Sequence, residues 1–134
     1  MSKIAVDTNV LLYFFLNTSE TERRIKAAEL ISKEPVFNSQ SLSELINVLT
    51  RRWKYSKESV IQVSTKFLEV CNYVPLTEES ITLAYDICKN YDFQIFDAFV
   101  VSTAIESGCE SLYTEDLHHG LIIDKKLTII NPFA

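Results

Sequence analysis

The sequence predicts an α/β domain with a mostly parallel sheet covered by helices on both faces. Three observations predict it. Short stretches at Ile4–Val6, Val36–Phe37, Ser111–Tyr113 and Leu127–Ile130 have the length of buried strands. Longer segments between them place apolar residues at helical spacing. Carboxylates stand just beyond two of the strands, Asp7 after the first and Asp116 after the third. Open α/β sheets carry their chemistry beyond the carboxyl ends of their strands.

Ile4–Val6 is the first strand, and Thr8 and Asn9 are placed to cap a helix opening at Val10. Asp7 reads either as a turn or capping carboxylate or as a site residue. Asn17 to Glu22 is polar and reads as a loop, with Thr18 or Ser19 capping the next helix. That helix, Thr21–Ser32, turns Ala27, Leu30 and Ile31 inward and is stopped by Pro35. Beyond the Val36–Phe37 strand, Leu42, Leu45, Ile46, Leu49 and Trp53 predict a helix over Ser41–Trp53. Ser41 reads as its N-cap, and Glu44, three residues on, completes a capping box.

Ser56 and Thr77 cap two further helices, the first with Val60, Val63, Phe67 and Val70 on one side, the second containing Ile81, Ala84, Tyr85 and Cys88. Phe93–Glu106 is apolar on more than one face, interrupted by Asp97. An ionised carboxylate in such a setting needs donors or a cation beside it. Gly108 ends that helix, and the Ser111–Tyr113 and Leu127–Ile130 strands follow.

The chain of 134 residues is read as one domain with a real hydrophobic core. Eighteen acids against 13 Lys and Arg give a formal charge of -5, so bulk charge gives no support to nucleic-acid binding. Three cysteines, at 71, 88 and 109, match no zinc spacing and leave one unpaired in any disulfide scheme. Reduced thiols in the cytoplasm are expected. The longest apolar run, Val10–Leu16, falls well short of the roughly 18 residues of a membrane span, so no membrane is expected. With only Gly108 and Gly120, neither glycine-rich phosphate loop can form.

Asp7, Glu44, Asp97 and Asp116 are the candidate site. Two of them end strands and two lie near helix starts, termini that a doubly covered sheet brings to one edge. Four carboxylates there repel one another and raise some pKa values unless divalent cations are present. Magnesium, with manganese as the alternative, suits an all-oxygen donor set, whereas zinc would want His or Cys partners. Such ions lower the pKa of water and stabilise charge on phosphate oxygens, which points to phosphodiester hydrolysis without a protein general base. Thr8, Asn9 and Thr114 are placed to hydrogen-bond around that centre. Glu115 is expected to face solvent, and His118 and His119 to serve as loop polarity.

Five stretches carry a family resemblance: VDTNVLLY at 6–13, SLSELINVL at 41–49, FDAFVVSTAIESG at 96–108, YTEDLHHG at 113–120 and TIINPF at 128–133. Together they resemble a PIN-domain protein, most similar to the VapC-like ribonuclease toxins of toxin–antitoxin pairs. The resemblance implies a three-layer α/β/α fold with a sheet of four or five short strands. Asp7, Glu44, Asp97 and Asp116 each match one of the family's four acids. It further implies a magnesium- or manganese-dependent endoribonuclease leaving 5'-phosphate and 3'-hydroxyl ends, a homodimer, and an antitoxin that blocks the acidic pocket. The alternative is a PIN-like scaffold that binds RNA or protein without cutting.

Two basic groups supply what the net charge lacks: Arg23, Arg24 and Lys26, and Arg51, Arg52, Lys54 and Lys57. Either can meet RNA phosphates or the acids of an antitoxin. Arg51 and Arg52 are favoured for RNA because they follow the Glu44 helix. The Val10–Leu16 run, with Tyr13, Phe14 and Phe15, is expected to be core, its excess covered by a dimer or antitoxin contact.

Overall fold

The computed structural model describes residues 3–16 and 21–134. The expected loop residues Asn17–Glu20, with the cap at Thr18 or Ser19, lie outside them. The chain runs β1 (Ile4–Val6), α1 (Thr8–Phe15), α2 (Thr21–Ile31), β2 (Val36–Asn38) and α3 (Ser39–Asn47). A π-helical turn at Val48–Arg52 leads to α4 (Lys57–Val70), β3 (Asn72–Val74), α5 (Glu78–Tyr91) and α6 (Ile95–Glu106). β4 (Ser111–Tyr113), β5 (Ile122–Ile123) and β6 (Leu127–Ile130) complete it.

The strands form one sheet in the order β3-β2-β1-β4-β6-β5, parallel except for the β5–β6 pair. Ala5 pairs with Val36 on one side and with Leu112 on the other. The chain thus starts in the middle of the sheet, builds outward through β2 and β3, then returns to the other side of β1 with β4. The crevice beyond the ends of β1 and β4 is the topological switch point, where open sheets bind ligands.

Alternation along β1 divides the core. Ile4 and Val6 pack with Val10, Leu11, Leu30, Leu45, Leu49 and Phe67 from α1 to α4. Ala5 faces the other way, against Ala84, Ile87, Ala98, Val101 and Ala104 of α5 and α6. The result is the expected three-layer α/β/α arrangement. All three cysteines are unpaired, and burial pushes the thiols of Cys71 and Cys109 up to about 11, which leaves them unreactive.

Four local expectations are corrected. The sheet has six strands rather than four or five, because short edge pieces at β3 and β5 pair where their apolar pattern is weak. Helix α1 opens at Thr8, not Val10, since Asp7 itself is its N-cap. Helix α3 opens at Ser39 because the Asn38 side chain accepts from the Ser41 amide at 2.9 Å. Ser41 is therefore not the cap and no capping box forms, which leaves the Glu44 carboxylate, on the second turn, free of the helix start. The segment read as one helix to Trp53 widens into the π turn at Val48.

Candidate active site

Asp7 leaves β1 at the switch point with its backbone N–H donating to Tyr113 O of β4 at 3.1 Å. The side chain is 5% exposed. Its Oδ1 accepts from the Thr8 amide at 2.7 Å and its Oδ2 from Thr114 Oγ1 at 3.0 Å. Asp7 is thus the cap of α1, with both of its carboxylate oxygens bonded.

Thr114, fully buried just past β4, is the hub. Its one hydroxyl proton goes to Asp7, while its oxygen accepts from the Asp116 amide at 3.1 Å and from Asn9 Nδ2 at 3.3 Å. Both lone pairs are then used. Asn9 Nδ2 also donates to Asp116 Oδ2 at 3.1 Å, tying the fourth acid to α1. Thr8 Oγ1 reaches Glu44 Oε2 at 3.0 Å and Ser41 O at 3.3 Å, and Gln40 Nε2 donates to Glu44 Oε1 at 3.2 Å. Thr8, Asn9 and Thr114 therefore brace the carboxylates.

Asp97 stands in the first turn of α6, half-buried and, among the described residues, without a hydrogen-bond partner. Burial raises its pKa above the usual carboxylate range, and the charges of Asp116 and Glu44 raise it further. Asp7 is raised to about 6, chiefly by burial. The Thr8 amide and Thr114 hydroxyl oppose that rise, while Glu44 and Asp116 add to it. The charges of Glu44 and Asp116 thus reach both Asp7 and Asp97.

Sequence reasoning missed Asn38 and Gln40. Asn38 is buried and donates to Phe99 O and Thr103 Oγ1, both at 3.1 Å, fastening the start of α3 to the helix that bears Asp97. A polar residue closing a strand was the only signal, and it reads equally well as a turn. Glu115 does not simply face solvent: it turns from the centre to an ion pair with Arg23 at 2.7 Å. Arg23 is thereby committed within the fold, whereas Arg51, Arg52 and Lys54 are exposed and lack an ion pair among the described residues. His119 Nδ1 accepts from the Asn131 amide at 2.9 Å, consistent with a loop role.

Among the described residues no three acid, His or Cys side chains close around a single point as a ready-made ion cage. Magnesium does not need one, since it keeps several waters and uses one or two carboxylates. The side-chain bonds holding Asp7, Glu44 and Asp116 come from neutral hydroxyls and amides, not cations. Asn9 Oδ1 is buried without a hydrogen-bond partner beside Asp116, an acceptor suited to hydration water of an ion. The donor set fits a hard divalent cation.

No curated protein matches the chain in sequence. Solved structures do share its fold. A toxin–antitoxin complex from Klebsiella pneumoniae aligns with a TM-score of 0.72 at 17% identity, covering 98% of both chains. A sarcin-ricin loop cleaving VapC toxin of Mycobacterium tuberculosis gives 0.67 at 17% identity, over 85% of this chain and 92% of that one. FitAcB from Neisseria gonorrhoeae gives 0.62 at 17% identity, over 97% and 98%. The PIN domain family model matches residues 4–120, the span from β1 through the loop beyond Asp116. The chain belongs to the PIN domain family.

Proposed function

We propose that the protein is a divalent-metal-dependent endoribonuclease and the toxin of a toxin–antitoxin pair. The observation that carries this reading is that the charges of Glu44 and Asp116 reach both Asp7, which ends β1 at the switch point, and Asp97 in the first turn of α6. The likeness to a sarcin-ricin loop cleaving toxin and to a toxin–antitoxin complex supports it.

In this reading Asp7, Glu44, Asp97 and Asp116 hold magnesium or manganese. When bound, the ion supplies an activated water and neutralises charge on the phosphate oxygens. The chain's own part is orientation. Thr114 and the Thr8 amide fix both oxygens of Asp7, Thr8 and Gln40 hold Glu44, and Asn9 holds Asp116. Asp97 keeps its oxygens uncommitted, so it is the acid that adjusts to the ion. Arg51 and Arg52, exposed beyond the Glu44 helix and without ion pairs, meet RNA phosphates.

The antitoxin belongs to the same reading. Phe14, Phe15, Tyr55, Val63 and Phe67 line a groove of about 380 Å³ between α1 and α4, and Lys66 stands at it. We assign it to an amphipathic antitoxin segment with an acidic flank. A homodimer is included, checked by mass across a concentration series.

The test is cleavage of a mixed RNA panel by antitoxin-free protein with magnesium, manganese or EDTA, alongside folded Asp7→Asn and Asp97→Asn. Cuts that need metal and vanish in both variants are the expected result. Equal activity in wild type and variants would reject the catalytic assignment. A folded wild type that binds RNA but never cuts it would favour the noncatalytic scaffold.

A further inference from the structure

The turn that carries Asp116 is held from two sides, and only the inner side belongs to the acidic centre. On the outer side Glu115 accepts from Arg23 at 2.7 Å and from the Tyr13 hydroxyl at 3.1 Å. The same Arg23 nitrogen donates to Tyr13 Oη at 3.0 Å, so that these three side chains bond one another. The guanidinium lies 5.2 Å from the centres of both the Tyr13 and Phe133 rings, which pack edge to face at 4.8 Å. An isolated surface ion pair contributes little, but one locked between rings and bonded to a third group keeps its geometry.

The spacing on α1 gives this network its meaning. Asn9 and Tyr13 are four residues apart, hence on the same face of the helix. Asn9 holds Asp116 through Nδ2 at 3.1 Å, and Tyr13 holds the adjacent Glu115. One helix face therefore grips two consecutive residues of the turn, and Arg23 of α2 fastens the outer grip. We propose that Tyr13, Arg23 and Glu115 form a positioning clamp that sets the Asp116 carboxylate for metal binding. This rests on the reading of Asp116 as a metal ligand. None of the three is a catalytic residue, because each acts through the backbone of the turn.

Charge makes the proposal testable by sign. Arg23 is a cation beside an acidic centre, so by Coulomb's law alone its removal tightens cation binding. A clamp predicts the reverse. The experiment is Mn2+ titration of the full chain, followed by electron paramagnetic resonance, for wild type, Arg23→Met, Tyr13→Phe, Asp116→Asn and Arg23→Met/Asp116→Asn. Arg23→Met and Tyr13→Phe should each weaken Mn2+ binding by roughly 10-fold, in the range seen when groups orienting a ligand are removed. The double variant should bind no worse than Asp116→Asn, since the clamp has nothing left to position.

Tyr13→Phe removes one hydroxyl and keeps the ring, so it reports even if Arg23→Met does not fold. Unchanged or tighter Mn2+ binding in the Arg23 and Tyr13 variants, with Asp116→Asn weakened, overturns the clamp and leaves the metal site standing. Wild-type affinity in Asp116→Asn overturns the metal reading and the clamp with it. In RNA cleavage the clamp variants should lower kcat at unchanged KM, because they leave RNA contacts alone.

Discussion

In the proposed centre Asp7 comes from the end of a central strand and Asp97 from the first turn of a helix, and the fold treats them differently. Asp7 is buried, capped into α1 and bonded at both oxygens. Asp97 is half-buried, and no side-chain bond fixes it among the described residues. Burial is the largest cause of the raised pKa in both. The difference teaches how such a centre is made: one acid is oriented during folding and anchors the geometry, and another stays adjustable to meet the ligand.

Removing the anchor should have the largest effect. Asp7→Asn should lower metal-dependent cleavage by more than about 100-fold, beyond what loss of an orienting group does. The same change should stabilise the metal-free protein near pH 7, because Asn keeps the cap and removes a buried charge. The rise of the Asp7 pKa from 3.8 to about 6 corresponds to about 3 kcal/mol. A raised carboxyl favours the folded state below the unfolded pKa, near 4, and that contribution is lost as pH climbs through about 6. Denaturant melts across that window should therefore show wild-type stability falling relative to Asp7→Asn, while Asp97, raised in the same direction and present in both proteins, lowers both alike.

A smaller effect is expected where the anchor is held. Thr114→Val unpairs Asp7 Oδ2 and the Asp116 amide, and leaves Asn9 Nδ2 with Asp116 alone. It should lower stability by about 1–3 kcal/mol and cleavage by about 10- to 100-fold. Thermal melts and initial rates at saturating Mn2+ check both. If Thr114→Val slowed cleavage no more than a distant surface change, orientation of Asp7 would not matter and the contrast with Asp97 would collapse.

How much of this was legible from the chain depended on how local the cause was. Ser56 and Thr77 cap the helices they were expected to cap, and Ser111–Tyr113 and Leu127–Ile130 are strands with the expected bounds, because caps and short buried strands are written in adjacent residues. Asn38 and Ser41 are both competent caps, and the choice between them depends on where β2 leaves the sheet. The Arg23–Glu115 bond joins residues 92 positions apart, with no periodicity linking them. The four acids were visible as residue types at element ends. Thr8, Asn9 and Thr114 were legible as their partners, whereas the tie that Asn38 makes between α3 and α6 needed the sheet order.

The smallest effect should come from the rim. Arg51→Ala/Arg52→Ala removes two exposed cations without touching the acids, so kcat should hold while RNA affinity falls. The log–log salt dependence should flatten by about 1.4 for two phosphate contacts on single-stranded RNA. Affinity measured at several salt concentrations checks it, and an unchanged slope would return Arg51 and Arg52 to an ordinary solvated surface.

The most direct test of the central claim is the folding stability of wild type and Asp7→Asn at pH 7, each with and without Mn2+. Without metal the variant should be the more stable. Mn2+ at about 100 times its Kd should stabilise wild type by about 2.7 kcal/mol and leave Asp7→Asn nearly unchanged, closing most of the gap. Equal Mn2+ effects on both proteins, or none on wild type, would contradict a metal centre anchored on Asp7.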